Sequence, residues 1–383
     1  MIRKLYGCLV TVLLLAHPNP TMASETIRVA VFIDQPSLSV KSPGSLTLLS
    51  TQGTELARLH GPLEILPGTS GLILSALGGQ QSTEMKELLL RTDSPPITLN
   101  ETAFAGAFRI EQRPGGLLAI NELDLEDYLK GVVPVEISPH WHHETLKVQA
   151  IIARTYALYR RQINTGKGYD LVSTTADQVY EGRSQEHPAA NRAIAETQGL
   201  VLSYQGRLIL SAYHSTSAGP TENVQEVWGM DLPYLKGVNC PFDHRSPRFQ
   251  WLREMALDHI QAAFSRNGYP IGMIATLTPF DWTPSGRVGR IRVLHSEGEI
   301  ILRGEELRRI LGYSELPSTR FAIEHNGRDV KVQGRGSGHG VGLCQWGAKE
   351  MAELGYRFER ILKYFYPGVK VVSYGDLMRG EDP

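Results

Sequence analysis

Pro134-Val135-Glu136-Ile137 sets one carboxyl among apolar neighbours, in a proline-bounded turn just ahead of a long, Ala-rich apolar run. A single carboxyl held to ångström-scale tolerance on such a platform is the minimum equipment for moving a proton, provided its surroundings keep it protonated until it acts. The same residue has plainer uses, as a helix-terminal cap or an ion-pair partner of Arg154. Other acids compete with it. Glu144, in the first turn of the following helix, reads as an N-terminal cap. Asp177 and Glu222 lie in polar loops, where they either support charge in a cleft or are simply solvated. His339 sits in GSGHGVG, where glycines allow close backbone approach and expose an imidazole. Gln345 and Trp346 follow with an amide and an aromatic surface, and Tyr180 and Ser215 are able to line the same groove. The bland counterparts are a structural loop histidine, a helix cap and a core tryptophan.

A metal reading draws on different residues. His214 ends a strand, and Cys240 and His244 are separated by three residues, which together offers three zinc-compatible ligands. His140, His142 and His143 form a second local group. No HExxH is present, and a disulfide between Cys240 and Cys344 would remove one ligand. Ser215 beside His214 at a strand end is not a nucleophilic triad, and no nucleophile elbow occurs. GRGSGHGVG lacks the GxxxxGK[ST] of a phosphate loop and the βαβ setting of a dinucleotide fingerprint. Proton transfer by one carboxyl requires no cofactor, which leaves a structural zinc as the metal role to test.

Positioning these groups falls to elements legible in the periodicity. LEDYLKG makes a short amphipathic helix that ends at Gly131 as its C-cap. Glu136 then occupies a turn, and the long helix starts beyond it, at Ser138-Pro139 or at His140-Trp141, and runs to the Thr165–Gly168 region. Leu146, Ala150, Ala153 and Ala157 give that helix a narrow face for close packing, widened by Val148, Ile152, Tyr156 and Tyr159. This arrangement carries a difficulty: a nearby helix N-terminus depresses a carboxyl pKa, so a general acid there must lie off the axis or be desolvated by Val135, Ile137 and Trp141. GLVLSYQGRLILSAYHS reads as a hairpin with a Gln205-Gly206 turn, and AFRIEQRPGGLLAINEL as another around Pro114-Gly115-Gly116.

The whole chain, 383 residues with Lys+Arg 39 against Asp+Glu 40, is long enough for two or three modules, and its charge balance does not indicate a nucleic-acid partner. Arg3 and Lys4, an apolar run to Ala16 and small residues up to Ala23 follow the plan of a secretory signal peptide over residues 1–23, cleaved near Ala23; export to the periplasm or cell envelope is the expectation. Short apolar runs broken by Gly and Pro make 24–100 a small β-rich module. A core spans 101–245 and 318–383, and 246–317 reads as an inserted small α+β module. The expected class is α+β, a mixed multi-module fold with a Glu-bearing helix platform.

Five segments occurring in order, NELDLEDYLKGVVPVEISPHWHHETLKVQAIIARTYAL, DQVYEG, AYHSTSAGPTENV, DLPYLKGV and GRGSGHGVGLCQWGAKEMA, resemble the SpoIID/LytB family of bacterial sporulation and cell-wall proteins. The resemblance implies association with peptidoglycan glycan strands and, in the active branch, a lytic transglycosylase. Glu136 takes the place of that branch's catalytic glutamate, acting first as acid and then as base while the sugar's own 6-hydroxyl closes on the anomeric carbon. The family's Pro-x-Glu-Met reads here as Pro134, Glu136 and Ile137, and Pro220 follows Ala218-Gly219 where paired glycines often stand. Substrate would be held by Tyr180, Ser215, His339, Gln345 and Trp346, with Arg154, Asp177 and Glu222 in support. The family also holds non-enzymatic amidase enhancers, for which the partner is a cell-wall amidase.

Overall fold

A computed structural model describes residues 25–76 and 79–380 of this mixed α+β chain; the leader expected over 1–23 lies outside the described residues. A seven-stranded sheet runs in the order Leu171–Val172, Thr26–Gln35, Gly116–Asp124, Ala107–Arg113, Glu87–Thr92, Ser45–Leu49, Glu55–His60. A six-stranded sheet contains Leu38–Lys41, Leu63–Pro67 and Leu72–Ala76. Alternating apolar residues from both sheets, among them Ile27, Leu46 and Phe108 from the first and Leu38 and Ile65 from the second, meet in one buried cluster.

The boundary expected at residue 100 is not one. Thr26–Gln35 pairs antiparallel with Gly116–Asp124 from Thr26↔Asp124 onward, and Glu87–Thr92 pairs with Ala107–Arg113. Cut at 100, the N-terminal strands would expose open edges, so the pairing demands both halves. Both expected hairpins form. Gln205 and Gly206 both adopt positive φ, 49° and 72°, which matches the strand twist on either side.

Helix α1 spans Leu125–Glu136 and α2 spans His143–Ile163. Asp124 caps α1 through its Oδ1, which accepts from the Glu126 and Asp127 amides. The helix does not stop at Gly131. A Cβ there would lie 2.3 Å from the Gly182 carbonyl and 2.6 Å from the Tyr180 ring, so this glycine answers a close approach and not a C-cap. The helix continues through Pro134, whose missing N–H is lost only from the last turn, and it ends at Ile137 in extended backbone. Glu136 is therefore the final residue of α1. His142 caps α2, its Nδ1 accepting from the Glu144 amide at 3.2 Å. Ala150, Ala153 and Ala157 of α2 pack into the main cluster with Leu129, Val132 and Val133 of α1.

Arg154, fully buried on α2, ties these helices together. Its Nε and Nη2 donate to the two carboxylate oxygens of Glu126, both at 2.7 Å, while Nη1 reaches the Leu200 carbonyl at 3.1 Å and Nη2 that of Ile194 at 3.4 Å, on helix α3 (Pro188–Glu196).

The insertion has its own core, with Trp251, Phe264, Ile291 and Val332 in one cluster. It extends to Arg335, beyond the expected limit of 317, because Asp329–Arg335 pairs along its length with Gln250–Ala256, from Gln250↔Arg335 to Ala256↔Asp329. Two buried groups clamp it to the rest. Glu222 Oε2 accepts from Thr283 Oγ1 at 2.5 Å and Ser285 Oγ at 2.7 Å, and Arg287 donates to the Pro220 and Ser217 carbonyls at 3.0 and 3.2 Å.

Glu126→Ala leaves the Arg154 guanidinium buried without its carboxylate and is expected to destabilise the fold by about 3–5 kcal/mol. A thermal or denaturant midpoint matching the parent's would refute the central role given to this pair.

Candidate active site

A cleft of about 560 Å³ opens where the end of α1, the loop 175–179, Tyr213-His214 and Gly338-His339 meet helix Gly304–Leu311 and Tyr313 of the insertion. Glu136 faces it, half-buried. Its Oε1 accepts from the Val179 amide at 3.3 Å, and the Tyr213 hydroxyl donates to its carboxyl. Burial pushes its pKa up, and these two hydrogen bonds only partly offset that. The position at the carbonyl end of α1, whose last turn carries no basic residue, also disfavours the anion. The difficulty anticipated from the sequence thus reverses sign: the nearer helix end is a C-terminus, and it favours the protonated acid.

A chain of side chains sets the Tyr213 hydroxyl. Tyr128 donates to Gln178 Oε1 at 3.2 Å, and Gln178 Nε2 donates to the Tyr213 oxygen at 3.3 Å. With that oxygen occupied as acceptor, the Tyr213 proton is directed at Glu136. Burial, and then the Glu136 charge, raise the pKa of both tyrosines well above the ordinary value, so both remain donors. Glu136 is also held from behind, because Gln345 Nε2 donates to its backbone carbonyl at 3.4 Å and to Gln149 Oε1 at 3.3 Å.

His339 lines the cleft. Its Nδ1 accepts from the Val341 amide at 3.0 Å, and burial, followed by Arg308, lowers its pKa to about 3, which makes it a neutral imidazole. Asp177 borders the cleft with its carboxylate committed to Tyr156, Val172 and Arg160 at 3.0, 2.9 and 2.8 Å. Glu305, from the opposite wall, has its pKa raised by burial, against the opposing effect of Arg308.

The other expected site residues lie elsewhere. Tyr180 is a core residue, its hydroxyl bonded to Asn121 Oδ1 at 3.0 Å and its ring against Phe104 and Tyr128. Gln345 is buried and turned inward, so it positions Glu136 and does not face the cleft. Ser215 and Trp346 are not among the cleft-lining residues; Trp346 packs edge-on to Trp141 at 5.1 Å. Arg154 is engaged by Glu126 and by the Leu200 and Ile194 carbonyls, and Glu222 is the joint to the insertion through Thr283 and Ser285.

The expected metal set is also rearranged. Both ring nitrogens of His214 are engaged, by the Val341 carbonyl and Ser217 Oγ, and His244 is exposed. Cys240 instead meets Cys344 and Asp243, with one ligand atom from each within 4.8 Å of the others, all buried; neither cysteine is in a disulfide. Asp243 Oδ2 accepts from the Ala218 amide at 2.7 Å, while its Oδ1 is buried without a partner among the described residues. Two sulfurs and a carboxylate with a spare oxygen suit a structural zinc, which would pin the 240–243 loop to the strand Leu343–Cys344.

Sequence reasoning passed over Tyr128, Gln178, Tyr213 and the insertion's wall as site residues. Gln178 and Tyr213 lie within the DQVYEG and AYHSTSAGPTENV segments, so the signal was present, but linear pattern does not tell which side chain of a strand end turns to a helix terminus.

Comparison with known proteins places the chain in a family. A family profile described as stage II sporulation protein matches residues 113–204, and one for a domain of unknown function (DUF8618) matches residues 235–342, which includes the insertion. The chain is 31% identical over 302 residues to an uncharacterized protein of Brachyspira hyodysenteriae, covering 78% of this chain and 80% of that one. It is 32% identical over 271 residues to the stage II sporulation protein D of Bacillus amyloliquefaciens, covering 66% and 75%. An amidase enhancer of Bacillus subtilis is 32% identical over 292 residues, of which the match spans 64% of this chain and 40% of the relative. With the Glu136 segment inside the matched profile and three quarters of a stage II sporulation protein D covered, this chain belongs to the stage II sporulation protein D family.

Proposed function

We propose that this chain is an exported peptidoglycan lytic transglycosylase with Glu136 as its single acid/base. The observation that carries the reading is a carboxyl with a raised pKa at a helix C-terminus, open to a cleft and aimed by Tyr213. The protonated carboxyl gives its proton to the glycosidic oxygen as the bond from that oxygen to the anomeric carbon breaks. The carboxylate left behind takes the proton of the sugar's 6-hydroxyl as that oxygen bonds to the anomeric carbon. The proton ledger closes without a water molecule, and the product is a 1,6-anhydro end. The Tyr213 donor and the Val179 amide hold the charged form between the two steps, and the neutral His339 presents a polar ring without a competing charge.

A second reading has support from the match to an amidase enhancer. In it the same cleft holds glycan strands without cutting them, and the partner is a cell-wall amidase. Residues 1–23 are proposed to direct export to the cell envelope; a mature protein whose mass does not begin near Ser24 would contradict the cleavage position.

Glu136→Gln separates the readings. It is expected to reduce 1,6-anhydro ends, scored by mass analysis after incubation with defined glycan strands, by about 100-fold or more. With its folded-state pKa raised, Glu136 costs the fold stability as the pH climbs past the ordinary carboxyl value and through the raised one, so the same variant is expected to unfold at a higher temperature than the parent at neutral pH. Unchanged product from the variant ends the acid/base assignment; no product from the parent, with wall binding retained, favours the enhancer.

Tyr213→Phe removes a hydrogen bond that favours the Glu136 anion, so the pKa of Glu136 is expected to rise further. The alkaline limb of kcat/KM, where the acid form is lost, should move to higher pH by up to about one unit. A limb that stays in place or moves down contradicts the assigned contact.

A further inference from the structure

One wall of the cleft belongs to the insertion, and it presents an exposed aromatic ring. Tyr313 is 54% exposed, yet it is held, because the Arg308 guanidinium lies 4.6 Å from its ring centre. Arg308 is itself fixed: it is buried, its Nε donates to the Leu316 carbonyl at 2.9 Å, and its Nη1 lies 3.6 Å from Glu305 Oε2. A guanidinium stacked on one face of a phenol leaves the other face available. The core wall carries a matching group. Trp228 is 42% exposed, closes helix Val224–Trp228, and stands 5.0 Å from the His339 ring. A side-chain hydrogen bond joins the two walls here, since Arg303 Nη1 donates to the Val227 carbonyl at 3.2 Å.

A single exposed aromatic needs no explanation. Two of them, one under a guanidinium and one against a tilted imidazole, in one concave cleft with a carboxyl, form the kind of lining that ligand sites use: flat apolar faces with a few convergent polar groups. A pyranose ring offers a matching surface, one face of C–H groups bordered by hydroxyls, and a rigid aromatic covers that face with little entropy lost. The clamps at Glu222 and Arg287 keep the insertion's platform at a set distance from the core's.

We propose that Trp228 and Tyr313 are stacking platforms for two saccharide units of an amino-sugar strand lying past Glu136, so that the insertion contributes substrate contacts of its own. This inference rests on the glycan-binding reading above and holds under either of its versions, because both place a strand in the cleft.

The test is calorimetric titration of a soluble tetrasaccharide of alternating N-acetylglucosamine and N-acetylmuramic acid into the full chain carrying Glu136→Gln, which prevents turnover. Added to that background, Tyr313→Ala and Trp228→Ala are each expected to weaken binding about tenfold, and Tyr313→Phe and Trp228→Phe to stay within about twofold of the background protein. Thermal midpoints should not move, because the rings are exposed. Equal binding by the background protein and both alanine variants overturns the platforms and leaves the cleft reading intact. Absence of binding by the background protein and by the parent overturns both. Lost binding with a lowered midpoint, not rescued by phenylalanine, assigns the rings to structure and also overturns the proposal.

Discussion

The ion pair between Arg154 and Glu126 is the constraint on which the arrangement rests. A guanidinium with no exposure is stable only when its donors are satisfied, and here they reach Glu126 on α1 and the carbonyls of Ile194 and Leu200. Each partner comes from a different segment, so the pair fixes how α1 crosses α2 and where both stand against α3. Because Glu136 closes α1, its coordinates follow from a contact made near the helix start, about 15 Å away at 1.5 Å per residue. The local contacts from Val179, Tyr213 and Gln345 then adjust a carboxyl that packing has already delivered.

The site also illustrates how one helix can serve opposite electrostatic needs at its two ends. Asp124, Glu126 and Asp127 crowd the amino end of α1, where backbone N–H groups and the macrodipole favour anions. Glu136 at the other end has no such help from its own helix, and burial outweighs its bonds from the Val179 amide and Tyr213, so the setting resists its ionisation. The same residue type is a stabilising anchor at one terminus and a strained acid at the other.

Much of this could be read from the chain without coordinates, and the exceptions have physical causes. The long helix, both hairpins and the mixed α+β class followed from periodicity and turn residues. The end of α1 did not, because Gly131 and Pro134 are both helix terminators by local rule. At Gly131 a tertiary contact with Tyr180 and Gly182 prevailed over propensity. Module limits failed for a related reason: strand pairing between residues far apart leaves no local trace, so neither the merger across residue 100 nor the extension to Arg335 was visible. Tyr180 and Gln345, expected to hold substrate, instead sit in the core and behind Glu136, because side chains that support a site and side chains that line it look alike in one dimension.

The joint between core and insertion has a further consequence. Opening it would strip the buried Glu222 carboxylate of the Thr283 and Ser285 hydroxyls and leave the Arg287 guanidinium without its two carbonyls, a cost that recurs at every excursion. The mouth of the cleft is thereby held like a caliper at one aperture instead of swinging as a jaw. A ligand of this cleft must fit the width it finds, because the joint resists widening to meet it.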